Sequence, residues 1–92
     1  MIRSFRHKGL AELWETKRSA KLDAKLIARI VRRLQALEVA GAPDDLNVPG
    51  FNFHVLRGPP PPRYTVHVNG PWCVTFAFDG KDAVDVDFEQ YH

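Results

Sequence analysis

The stretch that decides the fold is Tyr64-Thr-Val-His-Val-Asn-Gly-Pro-Trp-Cys-Val-Thr-Phe-Ala-Phe-Asp-Gly-Lys-Asp-Ala-Val-Asp-Val-Asp-Phe88. Tyr64, Val66 and Val68 alternate with Thr65 and His67. Trp72, Val74, Phe76 and Phe78 alternate with Cys73, Thr75 and Ala77, and Val84, Val86 and Phe88 with Asp85 and Asp87. A period of two puts successive side chains on opposite faces of a strand, so each segment reads as a strand with one large apolar face. Asn69-Gly70 and Asp79-Gly80 are turn dipeptides that tolerate positive φ, which joins the three strands as an antiparallel meander. Upstream, Phe51, Phe53 and Val55 alternate with Asn52 and His54 and predict a fourth strand. Arg57 to Pro62, with four consecutive prolines, is a stiff polyproline-like loop between it and the next.

Before Gly50 the apolar period is helical. Leu22, Leu26, Ile27, Ile30, Val31, Leu34 and Leu37 form one stripe, which predicts an amphipathic helix from about Lys21 to Val39 with Lys25, Arg29, Arg32 and Arg33 largely outside it. Gly41, as the left-handed residue after the helix, and Pro43 should stop it. Leu10, Leu13 and Trp14 mark a shorter helix over Lys8–Glu15. Ile2–Phe5 reads as an edge strand or a lead-in, with Ser4 as a helix cap. Pro43–Leu46 reads as one helical turn and Pro49-Gly50 as a bend. The expected architecture is therefore α+β, a single domain over residues 1–92. Two N-terminal helices pack on the Phe/Val/Trp face of a four-stranded, mainly antiparallel sheet. The opposite face, with His54, Thr65, His67, Cys73, Thr75 and the Asp85/Asp87 row, is left open and polar.

Composition agrees with this reading. Ninety-two residues, 45% hydrophobic, suffice for one modest core. One cysteine permits neither an internal disulfide nor a cysteine-rich zinc site. No apolar run reaches the roughly 20 residues of a membrane span and the start lacks a signal-peptide core, so a cytoplasmic protein with no membrane partner is expected. The net charge of +2 conceals an asymmetry: residues 1–33 carry ten Lys/Arg against three acids, and residues 34–92 three against eight. A positive N-terminal part of this size suggests a polyanion or an acidic partner protein.

Candidate chemistry gathers on the polar face. His54 points away from the core by alternation, and an imidazole gives or takes a proton near neutral pH. His67 lies on the same face of the adjoining strand, and no third ligand at metal-binding spacing accompanies the pair. Arg57 and Arg63 flank the proline loop at the mouth of that face, where guanidinium forks match phosphate oxygens. Tyr91 and His92 follow the last strand closely enough to fold over the face towards His54. Asp85, Asp87 and Glu89 alternate on one side of that strand, more in keeping with a solvated row, or with docking to the basic helix of another chain, than with catalysis. No Gly-rich phosphate loop, nucleophile elbow or helical His-Glu-x-x-His is present, which removes nucleotide-dependent, serine-hydrolase and zinc-protease readings.

Met1-Ile-Arg-Ser-Phe-Arg-His-Lys-Gly-Leu10, Asp45-Leu-Asn-Val-Pro-Gly50, Asn69-Gly-Pro-Trp72, Thr75-Phe76 and Asp85-Val-Asp-Phe-Glu-Gln-Tyr-His92 resemble the HigB toxins of the RelE/ParE superfamily, over essentially the whole chain. The resemblance implies helices on an antiparallel sheet and a ribosome-dependent, metal-free mRNA endonuclease that uses no cofactor. It also implies restraint by a HigA-like helix-turn-helix antitoxin, with operator DNA met through that antitoxin alone. It places His54, Tyr91 and His92 at the active-site positions, with Arg57 where a lysine is usual; Arg57, Arg63 and His67 would contact RNA. Three positions depart from the pattern: His67 and Cys73 stand where arginines are usual, and Gln90 where an aspartate is. The alternatives are a weakened or inactive member that binds antitoxin or ribosome without cleaving, and a ParE-like gyrase inhibitor on the same fold.

Overall fold

The computed structural model describes residues 1–91. Its elements in chain order are α1 (Lys8–Thr16), a 3-10 turn (Ala24–Leu26), α2 (Ile27–Val39), a second 3-10 turn (Pro43–Leu46), β1 (His54–Leu56), β2 (Arg63–Asn69), β3 (Trp72–Asp79) and β4 (Asp82–Gln90). The four strands form one sheet in the order β1-β2-β3-β4, every neighbouring pair antiparallel. The meander follows from its two tight turns. Gly70 and Gly80 take φ of 57° and 62° as the first residue of two-residue connections, a conformation that side-chain-bearing residues resist.

One buried cluster draws Leu10 and Leu13 from α1, Ile30, Leu34 and Leu37 from α2, and Val66, Val74, Phe76, Val86 and Phe88 from the sheet. Complete burial of a side chain of this size contributes roughly 1.5–3 kcal/mol, so these positions hold the helices and the sheet together. No helix is long and apolar enough to cross a membrane among the described residues.

Several local expectations are corrected. The chain does not enter the long helix at Lys21. Asp23 caps a 3-10 turn by accepting from the Lys25 N–H, and α2 proper begins at Ile27, although Leu22 is still buried outside it. That helix ends at Ala40 in extended conformation, not through a left-handed Gly41. Ser4 does not cap α1. His7 does, its Nδ1 accepting from the N–H groups of Gly9 and Leu10. Ser4 Oγ instead accepts from the Asp85 N–H at 2.8 Å.

Residues 1–6 run beside β4, with isolated parallel bridges at Ile2–Ala83 and Phe5–Val86. Opposite them β4 is irregular. Asp85 has φ 51° where the β3–β4 register shifts. The extra residue of such a bulge reverses the alternation beyond it. Ala83, fully buried, therefore takes the inward place expected for Val84, and Asp85 leaves the regular row with Asp87 and Glu89. The first strand is also shorter than its pattern. Asn52 takes φ 48°, so Phe51 fills the core from a turn and regular pairing starts only at His54.

Arg33 is the largest departure. The helical wheel puts it outside, yet it is 6% exposed. Its Nε donates to the His67 carbonyl at 2.9 Å, Nη1 to Arg29 at 3.2 Å and Nη2 to Gly50 at 3.4 Å, and the guanidinium lies 4.5 Å from the centre of the Phe51 ring. Burial, reinforced by Arg32 and Arg29, lowers its pKa from the usual arginine value. A guanidinium nevertheless remains charged under physiological conditions. Replacement by Met leaves the His67 and Gly50 carbonyls without their donors and should cost about 2–3 kcal/mol in urea unfolding. Arg33→Lys should restore little, because one ammonium does not span three carbonyls; an unchanged unfolding midpoint in Arg33→Met would contradict this assignment.

Candidate functional site

The polar face of the sheet is less open than its pattern implies. Cys73, Thr65 and Thr75 are 8%, 6% and 0% exposed. Open space remains in two adjoining cavities on the β1–β2 flank, of about 260 and 310 Å³, that share Leu56 and Tyr91 as lining.

The smaller cavity brings together His54, His67, Thr65, Cys73 and Tyr91. The pairing register produces this grouping: His54 lies opposite Thr65, and His67 opposite Cys73. The two imidazoles are held in different ways. His54 Nδ1 is 2.7 Å from the Asn52 carbonyl, and a carbonyl accepts, so Nδ1 carries the hydrogen and Nε2 keeps its lone pair. The left-handed backbone at Asn52 is what places that carbonyl two residues behind the ring. His67 Nε2 is 3.0 Å from the Gly70 carbonyl, which makes Nε2 the donor there and leaves Nδ1 with the lone pair. His54 is exposed, whereas His67 is half-buried and tied to the turn. Cys73 Sγ points to the Pro71 carbonyl at 3.8 Å.

The larger cavity holds Arg57 and Arg63, as the sequence suggests, and also Arg6, with the proline loop as its wall. Arg63 does not hang from a hairpin end. It is half-buried, its Nη2 donating to Thr75 Oγ1 at 3.0 Å and to the Asp85 carbonyl at 2.9 Å, while the Thr75 hydroxyl donates onward to Glu89 Oε2. Its buried Nη1 has no acceptor among the described residues. Burial lowers the Arg63 pKa first and Arg6 adds to that; Glu89, Asp85 and Asp87 oppose them.

Tyr91 is 41% exposed, and its N–H donates to the Pro71 carbonyl at 2.7 Å, which keeps the end of β4 beside the β2–β3 turn. Its lining of both cavities puts it on the His54 side of the sheet. His92 lies outside the described residues. Thus His54, His67 and Tyr91 meet in one cavity, and Arg57, Arg63 and Tyr91 in the next. Sequence reasoning missed Arg6 and Asn52. The cation excess of the first 33 residues is a signal for Arg6, but the parallel bridges that carry it to the sheet have no signature in spacing. Asn52 is suggested only by the tolerance of asparagine for left-handed backbone.

The opposite tautomers are directly measurable. Two-bond proton–nitrogen spectra in mildly alkaline buffer, where imidazole is neutral, should show His54 protonated on Nδ1 and His67 on Nε2; Nε2-protonated rings at both positions would refute the assignment of His54.

Residues 3–92 match the model of a protein family described as RelE-like toxin of type II toxin-antitoxin system HigB. The chain is 36% identical over 92 residues to the Endoribonuclease HigB of Proteus vulgaris, with the whole of both chains covered.

Proposed function

The chain belongs to the HigB family of RelE-like toxins of type II toxin–antitoxin systems, and from that membership we propose that it is an endoribonuclease acting in the cytoplasm on mRNA held by the ribosome. A toxin of this class has an antitoxin partner; here we propose a HigA-like helix-turn-helix protein, with operator DNA contacted through it.

The observation that carries the proposal is the Nε2 of His54, without a partner among the described residues, at the edge of a cavity of about 260 Å³ beside a cluster of arginines. In the reaction the RNA 2′-hydroxyl attacks the adjacent phosphorus, the P–O5′ bond breaks, and a 2′,3′-cyclic phosphate and a free 5′-hydroxyl result. One group removes the 2′ proton and another returns a proton to the leaving oxygen. Cations stabilise the negative charge that builds on the phosphoryl oxygens. His54 and His92 are the acid–base pair, with the two roles left open between them. The lone pair on Nε2 fits His54 to accept a proton, and once protonated the same ring can give it back. Tyr91 stacks on or orients a base. Arg57, Arg63 and His67 contact the RNA, and holding the hydroxyl in line with the leaving oxygen supplies much of the remaining rate.

A second reading, binding without cleavage, draws on Cys73: a buried thiol offers a developing phosphate dianion no fork of donors such as a guanidinium presents. Primer extension on translated mRNA separates the two, because a nuclease creates new 5′ ends and a binder does not. His54→Ala should reduce cleavage about 10²–10⁴-fold with the far-UV circular dichroism unchanged, since the His54 side chain is exposed and, among the described residues, bonds only the Asn52 carbonyl. Cleavage at the parent rate would remove His54 from the chemistry.

A further inference from the structure

Arg6 is the cation of this face that the proposed reaction leaves unused. Its backbone N–H donates to the Val86 carbonyl, which holds the segment against β4. Its exposed guanidinium has no hydrogen bond or ion pair with any described residue. Arg3, three residues earlier, contrasts with it by facing Asp82 at 3.4 Å.

Arg6 shares the larger cavity with Arg57 and Arg63, and among the described residues no carboxylate side chain lines that cavity. Three arginines that line one space repel one another, an effect that Glu89, Asp85 and Asp87 offset in part at Arg63, and Arg63 is anchored from beneath by Thr75 and the Asp85 carbonyl so that it does not swing away. Such an arrangement is stabilised by an anion. The proline wall and Leu56 give the cavity one apolar side. The neighbouring cavity, reached across Leu56 and Tyr91, contains His54. A single strand crossing both presents a phosphate to each, with an aromatic ring at the junction on which a base can stack.

We infer that the arginine cavity is a second phosphate site, taking the phosphodiester next to the one at His54, and that Arg6 is one of its ligands. This rests on the endoribonuclease reading for the identity of the strand. It adds that the RNA is gripped over two consecutive linkages.

The test is an NMR titration of the full chain with a 2′-O-methyl RNA trinucleotide at low salt. The blocked hydroxyls forbid cleavage, so the result is independent of turnover and of the His54→Ala outcome. The Arg6, Arg57 and Arg63 side-chain resonances should shift together. Arg6→Gln, which removes no bond from the described fold, should weaken binding about tenfold and flatten the dependence of log K on log salt by about 0.7, the value of one phosphate contact on a single strand. Two trinucleotides, each with one linkage made a neutral methylphosphonate, then locate the contact: one should lose its sensitivity to Arg6→Gln and the other keep it. Absence of shifts at Arg6, shifts with an acidic peptide but not with RNA, sensitivity retained in both neutralised RNAs, or an equal loss from Arg3→Gln would each overturn the inference.

Discussion

A guanidinium turned away from water has to find oxygen in the plane of its fork, and Arg33 satisfies that demand by joining three parts of the chain. Its partners are the carbonyls of Arg29 on its own helix, His67 on β2, and Gly50 in the turn before β1. The consequences reach the site. The bond to His67 holds the strand where the β2–β3 register shifts, next to the imidazole that lines the smaller cavity. The bond to Gly50 and the contact with Phe51 fix the turn whose next residue, Asn52, supplies the carbonyl that orients His54. Both imidazoles are thereby referred to one buried helical side chain through backbone carbonyls.

The second half of the site depends on a second buried demand. Arg63 takes its oxygen from the Asp85 carbonyl, which is where the β4 bulge occurs, and from Thr75, whose hydroxyl is itself committed to Glu89. The bulge is held from the other side by Ser4, which accepts from the Asp85 N–H. The segment that carries Ser4 also carries Arg6. One irregularity in one strand thus orients Arg63 from within the sheet and brings Arg6 to the same cavity from outside it.

These two demands also explain which parts of the molecule were legible in the sequence. The meander was legible because alternation and Asn-Gly or Asp-Gly turns are local, and the two helices because their apolar spacing is local. The grouping of His54 with His67 followed from alternation, and that of Arg57 with Arg63 from their places at the two ends of the proline loop. What failed was decided by distant partners. Arg33 lies off the main apolar stripe, and the three carbonyls that make its burial tolerable come from residues up to thirty-four positions away. Val84 and Ala83 exchanged places because a bulge conserves composition while shifting register, and nothing in Ala-Val-Asp-Val-Asp-Phe marks the extra residue. Ser4 was a reasonable cap by residue type, but β4 claimed its oxygen and left His7 to do the capping.

The departures at His67 and Cys73 have a physical reading in the same terms. Two arginines there would line the cavity that His54 lines; this chain has instead a half-buried imidazole bound to a turn and a thiol whose one weak donor is turned to the Pro71 carbonyl. Positive charge has not left the face, however. It is concentrated across Leu56 and Tyr91, on Arg6, Arg57 and Arg63. A charge at that remove acts on the reacting phosphorus more weakly than one in contact, since the interaction falls with distance and with the dielectric of the intervening space. In the proposed reaction, then, these arginines serve chiefly to hold the strand, while stabilisation of the attacked phosphate falls more heavily on proton transfer and in-line alignment. Such an enzyme spends its cations on binding and is correspondingly dependent on the geometry that Arg33 and the β4 bulge enforce.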